Sequence, residues 1–219
     1  MRFVTWFSLI AISAAIASAH ARAQDPDDDL KIYAVTIPSS VRLTPLTLYG
    51  VYLGDNTVLT AAHVVGRWSL FSNPSIIIAG QKLSATVIKK GSFPDMDLAL
   101  LTIDEATLPV SLRLRRNPVC KAPPNPGTNV IVAYPDKIAR SRVISPKLIV
   151  NNNDRAEFGT LIRDVQVSGA GAFDADRKCL LGIMSAAVPI NHSPGQKPRA
   201  GYFVPPSKIA DFIPAEFRF

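Results

Sequence analysis

A histidine follows a short apolar segment in the first third of the chain. Residues 58–65 read Val-Leu-Thr-Ala-Ala-His-Val-Val, so two alanines precede His63. Small residues at these positions allow a short helical turn to pack closely beneath the imidazole ring. An isolated histidine is most often a core residue whose ring nitrogens are hydrogen-bonded. The Thr-Ala-Ala-His pattern favours instead a histidine that takes and returns a proton during a reaction.

An acid and a serine follow His63 in the chain. Asp97 immediately precedes the apolar run Leu-Ala-Leu-Leu, and Ser168 opens the small-residue turn Ser-Gly-Ala-Gly. Taken alone, the Asp97 pattern is typical of a surface carboxylate at the start of a strand, and the Ser168 pattern is typical of an ordinary loop. A serine hydroxyl becomes a nucleophile when a base takes its proton and a third group orients that base. His63, Asp97 and Ser168 are the residue types that such a nucleophilic centre requires.

Short β-rich segments, separated by Pro and Gly at intervals of about ten residues, must position these three side chains. This spacing is typical of a barrel or a sandwich. A single helix is predicted near residues 207–212. Two groups of strands flank a proline-rich, basic segment at 113–126: residues 31–37, 48–54, 57–60, 75–78, 83–88 and 98–103 precede it, and 129–133, 142–150, 160–165, 179–187 and 202–204 follow it. The sequence therefore predicts an all-β protein with two halves of roughly six strands each and a short C-terminal helix.

Composition narrows the function classes. The 219 residues are 47% apolar and 19% charged, which predicts a packed core and one large or two small domains. The net charge of +7 does not by itself require a polyanionic partner. The basic clusters at 113–116 and 140–142 lack interleaved aromatic residues, so we expect solvated surface charge and no nucleic-acid partner. Two cysteines exclude a four-cysteine zinc module, and we expect no metal and no cofactor.

The first 23 residues are predicted to be a secretory signal peptide. They contain a basic start, an apolar run and small residues in an Ala-x-Ala cleavage pattern, with cleavage favoured after Ala23. A membrane anchor would need about 20 apolar residues, and this run is shorter. The exported chain then begins at Gln24, and we expect the polar segment 24–29 to be a frayed end. Export to the periplasm or out of the cell places the chain in an oxidising compartment.

The two cysteines have two interpretations. Cys120 lies in the proline-rich segment between the halves, and Cys179 lies at a predicted strand start in the second half. In an oxidising compartment they can form one disulfide. The alternative is a pair of separate buried thiols, and neither cysteine has the surroundings of a nucleophile.

The motifs around these residues resemble those of the chymotrypsin/trypsin-like serine proteases, in particular their bacterial secreted branch. The chain order His, Asp, Ser is the order of this family and differs from that of subtilisins and α/β-hydrolases. The matching segments are Thr-Ala-Ala-His at 60–63, Asp-Leu-Ala-Leu-Leu at 97–101, Ser-Gly-x-Gly-x-Phe-Asp at 168–174, Gly-Ile-x-Ser at 182–185 and Gly-Tyr-Phe at 201–203.

The resemblance implies two six-stranded antiparallel β-barrels with the active site in the cleft between them. His63 would act as general base and then as general acid, Asp97 would orient it, and Ser168 would attack a peptide carbonyl to form an acyl-enzyme. The substrate would be a protein or peptide, and we expect a monomer without membrane contact once the signal peptide is removed. The chain then divides into the signal peptide (1–23), the N-terminal barrel (24–112), an interbarrel linker (113–127) and the C-terminal barrel with its terminal helix (128–219).

The segment before the serine departs from the family pattern. Family members usually have Gly and then Asp or Asn where this chain has Gln166 and Val167. The resemblance implies that the backbone N–H groups of Gln166 and Ser168 form the oxyanion hole, and glycine adopts unusual backbone conformations more readily than glutamine. Losing one such donor costs about 10²–10³ in rate. Val167 has no carboxylate to pair with a new N-terminus, so no trypsin-type zymogen switch is expected.

These departures keep two other functions open. A catalytically impaired protease fold that acts as a binding module is the main alternative, and an esterase with the same triad is a third possibility. The resemblance also implies a substrate pocket with small walls and an apolar floor, which favours small or medium apolar side chains. Its residues would be Ile162 at the floor, Ser185, Ala186 and Ala187 along the substrate, and Gly201 on the facing wall.

Overall fold

Two six-stranded antiparallel β-barrels follow one another along the chain in the computed structural model. The structure describes residues 25–38, 47–66, 73–92, 95–145, 147, 160–163, 165, 167–189 and 199–217. The predicted signal peptide and Gln24 lie outside these residues. The predicted all-β architecture with two barrels is confirmed.

The N-terminal barrel contains six strands in the order β1-β2-β3-β6-β5-β4, and β4 pairs back onto β1 to close it. The tight turn between its second and third strands has Asp55 at φ 43° and Asn56 at φ 57°. Both are residues that tolerate the left-handed region, as this kind of hairpin turn requires. The strands are β1 (Ala34–Pro38), β2 (Thr47–Gly54), β3 (Thr57–Thr60), β4 (Ser75–Ile78), β5 (Gln81–Lys90) and β6 (Ala99–Ile103).

The C-terminal barrel has the strand order β10-β11-β12-β9-β8-β7, and β7 pairs with β10 to close it. A short helix α1 (Val110–Arg113) precedes the interbarrel segment, and α2 (Pro206–Phe212) follows the last strand. The predicted C-terminal helix is thereby confirmed. The strands are β7 (Asn129–Ala133), β8 (Ile138–Ile144), β9 (Thr160–Arg163), β10 (Gly171–Asp174), β11 (Leu180–Pro189) and β12 (Arg199–Val204).

The core is shared between the barrels. The largest cluster of buried apolar side chains includes Val51 and Leu100 of the first barrel together with Phe173 and Ile183 of the second. The terminal helix α2 also contributes Ile209 to this cluster. The barrels therefore pack on each other through apolar contacts. Within the described residues, no helix has both the length and the apolar character needed to cross a bilayer.

A disulfide joins Cys120 to Cys179, with their Cα atoms 5.1 Å apart. The backbone around it is also paired, because Cys120 N–H donates to the Leu180 carbonyl at 2.9 Å and Leu180 N–H donates to the Pro118 carbonyl at 2.8 Å. The bond attaches the interbarrel segment to the start of β11. Of the two interpretations of the cysteines, the structure shows the disulfide.

The acidic segment at the start of the described chain is anchored, which corrects the expectation of a frayed end. Both carboxylate oxygens of Asp25 accept hydrogen bonds from the Arg140 guanidinium, at 2.5 and 2.6 Å. Asp27 is buried and accepts hydrogen bonds from Arg140, at 2.7 Å, and from Lys178. Arg140 and Lys178 both belong to the second barrel, so residues 25–27 cross over to it before the chain enters β1. Composition alone could not reveal these partners, because they lie more than 100 residues away in the chain.

The contacts of Asp27 predict a pH-dependent contribution to stability. Burial raises the pKa of this carboxyl, but the hydrogen bonds from Lys178 and Arg140 outweigh burial and hold the pKa below its ordinary value of 3.8. A carboxyl with a lowered pKa in the folded state stabilises the protein above its unfolded pKa, and this contribution is lost as the pH falls through the folded pKa.

We expect Asp27→Asn to lower the free energy of unfolding by about 1–2 kcal/mol at pH 7, because two cationic donors lose a charged acceptor. Urea unfolding at pH 7 and at pH 3 measures the effect, and the difference from the wild type should narrow at pH 3. Asp29→Asn is the control, because Asp29 is exposed and its substitution should change stability little. Equal effects of the two substitutions would contradict the anchoring role of Asp27.

Candidate active site

His63 and Asp97 lie side by side because β3 pairs with β6. Thr60 at the end of β3 is opposite Ala99 at the start of β6, so the residues just beyond these strand ends meet. His63 Nδ1 lies 2.8 Å from Asp97 Oδ2, and the His63 backbone N–H donates to Oδ1 at 3.0 Å. Both carboxylate oxygens thus bind the same residue, which fixes the position and the orientation of the imidazole ring.

A third group binds Asp97 from the second barrel. The Ser185 hydroxyl, on β11, donates to Asp97 Oδ2 and is itself buried. Ser185 was predicted only as part of the substrate-binding strand, and its contact with Asp97 was not predicted from the sequence. The available signal was a hydroxyl within a largely apolar strand, since a buried hydroxyl needs a hydrogen-bond partner.

The electrostatics of Asp97 determine the proton arrangement on His63. The Asp97 side chain is 4% exposed, and burial raises its pKa, but hydrogen bonds from His63 and Ser185 outweigh burial and lower the pKa below the ordinary value. The carboxyl is therefore ionised at neutral pH and only accepts hydrogen bonds. His63 Nδ1 must then carry the proton, so in the neutral ring the lone pair is on Nε2. This is the tautomer that a general base requires.

Ser168 lies in a segment that both barrels hold. Its carbonyl accepts a hydrogen bond from the Tyr49 N–H of β2 at 3.0 Å. The next residue, Gly169, donates its N–H to the Met184 carbonyl of β11 at 2.7 Å. Gly169 has φ +82°, and a Cβ atom there would lie 1.9 Å from the Tyr49 carbonyl oxygen. Glycine is therefore required directly after Ser168, because only a residue without a Cβ atom allows the serine segment to approach β2 this closely.

His63 and Ser168 line the same cleft. Its volume is about 380 Å³, and among the described residues its walls also include Ser185 and Ala186. The His63 side chain is 34% exposed, so a molecule in the cleft can reach the imidazole while Asp97 behind it stays buried. Five of the predicted site residues therefore come together here, with Asp97 reached through His63 and Ser185.

The other predicted pocket residues have different positions. Ile162 is fully buried within β9, where it pairs with Gly201 of β12, and neither residue is among the described residues that line the cleft. Ala187 is opposite Gly201 in the pairing of β11 with β12. Gln166, the predicted oxyanion-hole donor, lies outside the described residues. In the described part of the chain, no group of three or more His, Cys, Asp or Glu side chains is placed to hold a metal ion.

A family comparison defines the class of protein. The model of the trypsin-like peptidase domain matches residues 49–183, which is more than half of the chain. The protein therefore belongs to the trypsin-like peptidase family. No curated protein matches the sequence.

Solved structures share the fold at low sequence identity. The chain resembles the Rv3671c protease of M. tuberculosis in its active form, with 17% identity, a TM-score of 0.57, and coverage of 96% of this chain and 92% of that one. It also resembles the MamO protease domain of Magnetospirillum magneticum, with 20% identity, a TM-score of 0.57, and coverage of 84% and 97%. Kallikrein-related peptidase 10 gives 18% identity, a TM-score of 0.61, and coverage of 84% and 94%. These similarities show that the chain shares the fold of the three structures.

We expect Ser185→Ala to raise the pKa of Asp97, because the substitution removes one of the hydrogen bonds that favour the ionised carboxyl. NMR titration of the Asp97 carboxyl carbon measures this change directly. Ser185→Thr keeps a hydroxyl and should leave the pKa closer to that of the wild type. An unchanged Asp97 pKa in the alanine variant would show that the contact with Ser185 does not stabilise the charge.

Proposed function

We propose that the protein is a secreted serine endopeptidase that uses His63, Asp97 and Ser168 as its catalytic triad. One observation carries the proposal: a histidine oriented by a buried, ionised carboxylate lines the same cleft as a serine, within a trypsin-like peptidase fold. The alternatives are a binding module on the same fold and an esterase.

The proposed reaction begins with proton transfer. His63 Nε2 takes the proton of the Ser168 hydroxyl as the oxygen attacks the carbonyl carbon of the scissile peptide bond. The carbonyl oxygen becomes negatively charged and is stabilised by the backbone N–H groups of Gln166 and Ser168. The carbon–nitrogen bond then breaks, and His63 returns the proton to the leaving amine. Water hydrolyses the resulting ester on Ser168 by the same steps in the second half of the reaction.

Asp97 would contribute by stabilising charge. When His63 takes the serine proton the ring becomes positively charged, and the Asp97 carboxylate 2.8 Å from Nδ1 favours that state. The low exposure of Asp97 strengthens this interaction, because surrounding protein screens charge less than water does. Ser185 would act as a positioning residue through its hydrogen bond to the same carboxylate.

Export is supported by two independent features. The first 23 residues have the pattern of a signal peptide. The Cys120–Cys179 disulfide is the kind of bond that persists in oxidising compartments such as the periplasm or the cell exterior. We therefore place the mature protein outside the cytoplasm.

A small fluorophosphonate probe tests the proposed nucleophile. We expect the purified mature protein to be labelled on Ser168, and Ser168→Ala to abolish labelling while the protein stays folded. Asp97→Asn should slow peptide hydrolysis by about 10³–10⁴-fold, because the histidine loses the acceptor that selects its tautomer. A folded protein that shows no serine-dependent labelling would support the binding module, and turnover of esters without cleavage of any peptide would support the esterase.

Close packing behind the part of the cleft wall that Ser185 and Ala186 form supports a preference for small substrate side chains. A Cβ atom on Gly201 would lie 1.9 Å from the Val165 carbonyl oxygen and 2.6 Å from the Met184 methyl carbon, so these groups fill the space beside this glycine. Met184 is fully buried and directly precedes Ser185 on the cleft wall. We propose that Met184 limits the depth of the cleft, so that the residue whose carbonyl is attacked is small, such as alanine or glycine.

Shortening Met184 tests this preference. We expect Met184→Ala to improve kcat/KM for peptides with leucine at the acylated position by about tenfold or more relative to alanine peptides, because the change opens space behind the cleft. Met184→Leu preserves most of the volume and should keep the preference for small side chains. A wild-type preference for leucine or phenylalanine over alanine would contradict the proposed role of Met184.

A further inference from the structure

Thr60, the first residue of the Thr-Ala-Ala-His segment, is fully buried at the end of β3. Its hydroxyl donates a hydrogen bond to the Tyr49 carbonyl of β2 at 2.6 Å. The side chain of a β-branched residue has few allowed rotamers, so this hydroxyl is held in one direction. Thr60 therefore fixes the position of the Tyr49 carbonyl relative to the segment that leads to His63.

The main chain of Tyr49 connects Thr60 to the segment of the proposed nucleophile. The Tyr49 N–H donates to the Ser168 carbonyl at 3.0 Å, while the Tyr49 carbonyl accepts the hydrogen bond from Thr60. The N–H and C=O groups of one strand residue point to the same side of the strand. A displacement of the Tyr49 carbonyl therefore also moves the N–H group that holds Ser168.

Gly169 packs directly on the hydrogen bond between Thr60 and Tyr49. A Cβ atom on Gly169 would lie 1.9 Å from the Tyr49 carbonyl oxygen and 2.5 Å from the Thr60 hydroxyl oxygen. The Gly169 N–H also donates to the Met184 carbonyl at 2.7 Å, so this segment has a second anchor on β11. Lengthening the contact between Thr60 and Tyr49 would therefore push against the backbone directly after Ser168.

We propose that Thr60 is a positioning residue that sets the distance between His63 and Ser168. The inference rests on the proposed function, in which the serine must come within reach of the imidazole. His63 follows Thr60 by three residues, and two hydrogen bonds through Tyr49 lead from Thr60 to Ser168. Thr60 is not among the described residues that line the cleft, so it acts through the backbone of its neighbours.

Replacing the hydroxyl by a methyl group tests this role with little change in volume. Thr60→Val removes the donor to the Tyr49 carbonyl, and a carbon–oxygen contact is at least about 3.3 Å long, so the carbonyl must move away. A misplacement of about 1 Å can cost 10²-fold in rate. We expect Thr60→Val to slow the reaction of a fluorophosphonate with Ser168 by about tenfold or more, and Thr60→Ser to restore most of the rate.

Thr57, at the other end of the same strand, provides a matched control. It is equally buried, and its hydroxyl donates to the Gly54 carbonyl at 2.5 Å, at the turn between β2 and β3. Thr57→Val removes the same kind of hydrogen bond, so its loss of stability in thermal unfolding should be similar to that of Thr60→Val. The rate of fluorophosphonate labelling should stay near that of the wild type.

Hydrogen exchange of the Tyr49 amide provides a measurement that does not depend on activity. We expect faster exchange in Thr60→Val than in Thr57→Val, because the hydrogen bond from the Tyr49 N–H to the Ser168 carbonyl is weakened only in the former. Equal labelling rates or equal Tyr49 exchange rates in the two valine variants would overturn the role of Thr60. A folded wild-type protein that is not labelled would overturn the proposed endopeptidase function instead, and Tyr49 exchange alone then decides whether Thr60 positions Ser168.

Discussion

The buried carboxylate of Asp97 imposes the main constraint on the cleft. A buried charge is costly unless hydrogen bonds compensate it, and here the His63 backbone, the His63 ring and the Ser185 hydroxyl all contact it. Two of these donors come from the first barrel and the third comes from the second. Both barrels must therefore be in place for the charge of Asp97 to be fully compensated. The two contacts with His63 also orient its imidazole ring.

Other contacts keep the barrels in this arrangement. Tyr49 of β2 binds the Ser168 carbonyl through its N–H, and its ring meets the Tyr134 ring edge-on, with the centroids 5.2 Å apart. Burial raises the pKa of Tyr134 to about 12, so this tyrosine stays uncharged at the contact. The position of Ser168 relative to His63 thus depends on the interface between the barrels and not on either barrel alone.

The sequence was informative where local patterns determine structure. The Thr-Ala-Ala-His segment, the acid before an apolar strand and the Gly-Asp-Asn turn each indicated a local conformation, and their order along the chain indicated the family. The strand β10 was not identified as a separate strand, because all four of its residues are buried and therefore show no alternation of polar and apolar side chains. The predicted strand at 142–150 was also displaced from β8, because the exposed arginines and half-buried serine of β8 lack a strong strand pattern.

Contacts between distant parts of the chain could not be predicted in this way. The hydroxyl of Ser185 within an apolar strand indicated that it needs a hydrogen-bond partner, but neither that partner, Asp97, nor the partners of Asp25 and Asp27 could be identified locally, because each depends on how distant parts of the chain meet. The sequence thus indicated the residue types of the site, while tertiary pairing determined which of them became partners.

The anchored acidic segment also orders the events of folding. Residues 25–27 are synthesised early, yet their partners Arg140 and Lys178 follow 115 and 151 residues after Asp25 and Asp27. Contacts with such large separations along the chain form slowly, because the loop between them must close first. Asp25 and Asp27 can bind Arg140 only after β8 has been made, and Asp27 can bind Lys178 only after the first four strands of the second barrel have been made. The full set of ion pairs therefore requires the chain to extend at least to Lys178, and a truncated product that ends before Lys178 would leave Asp27 without one of its two cationic partners.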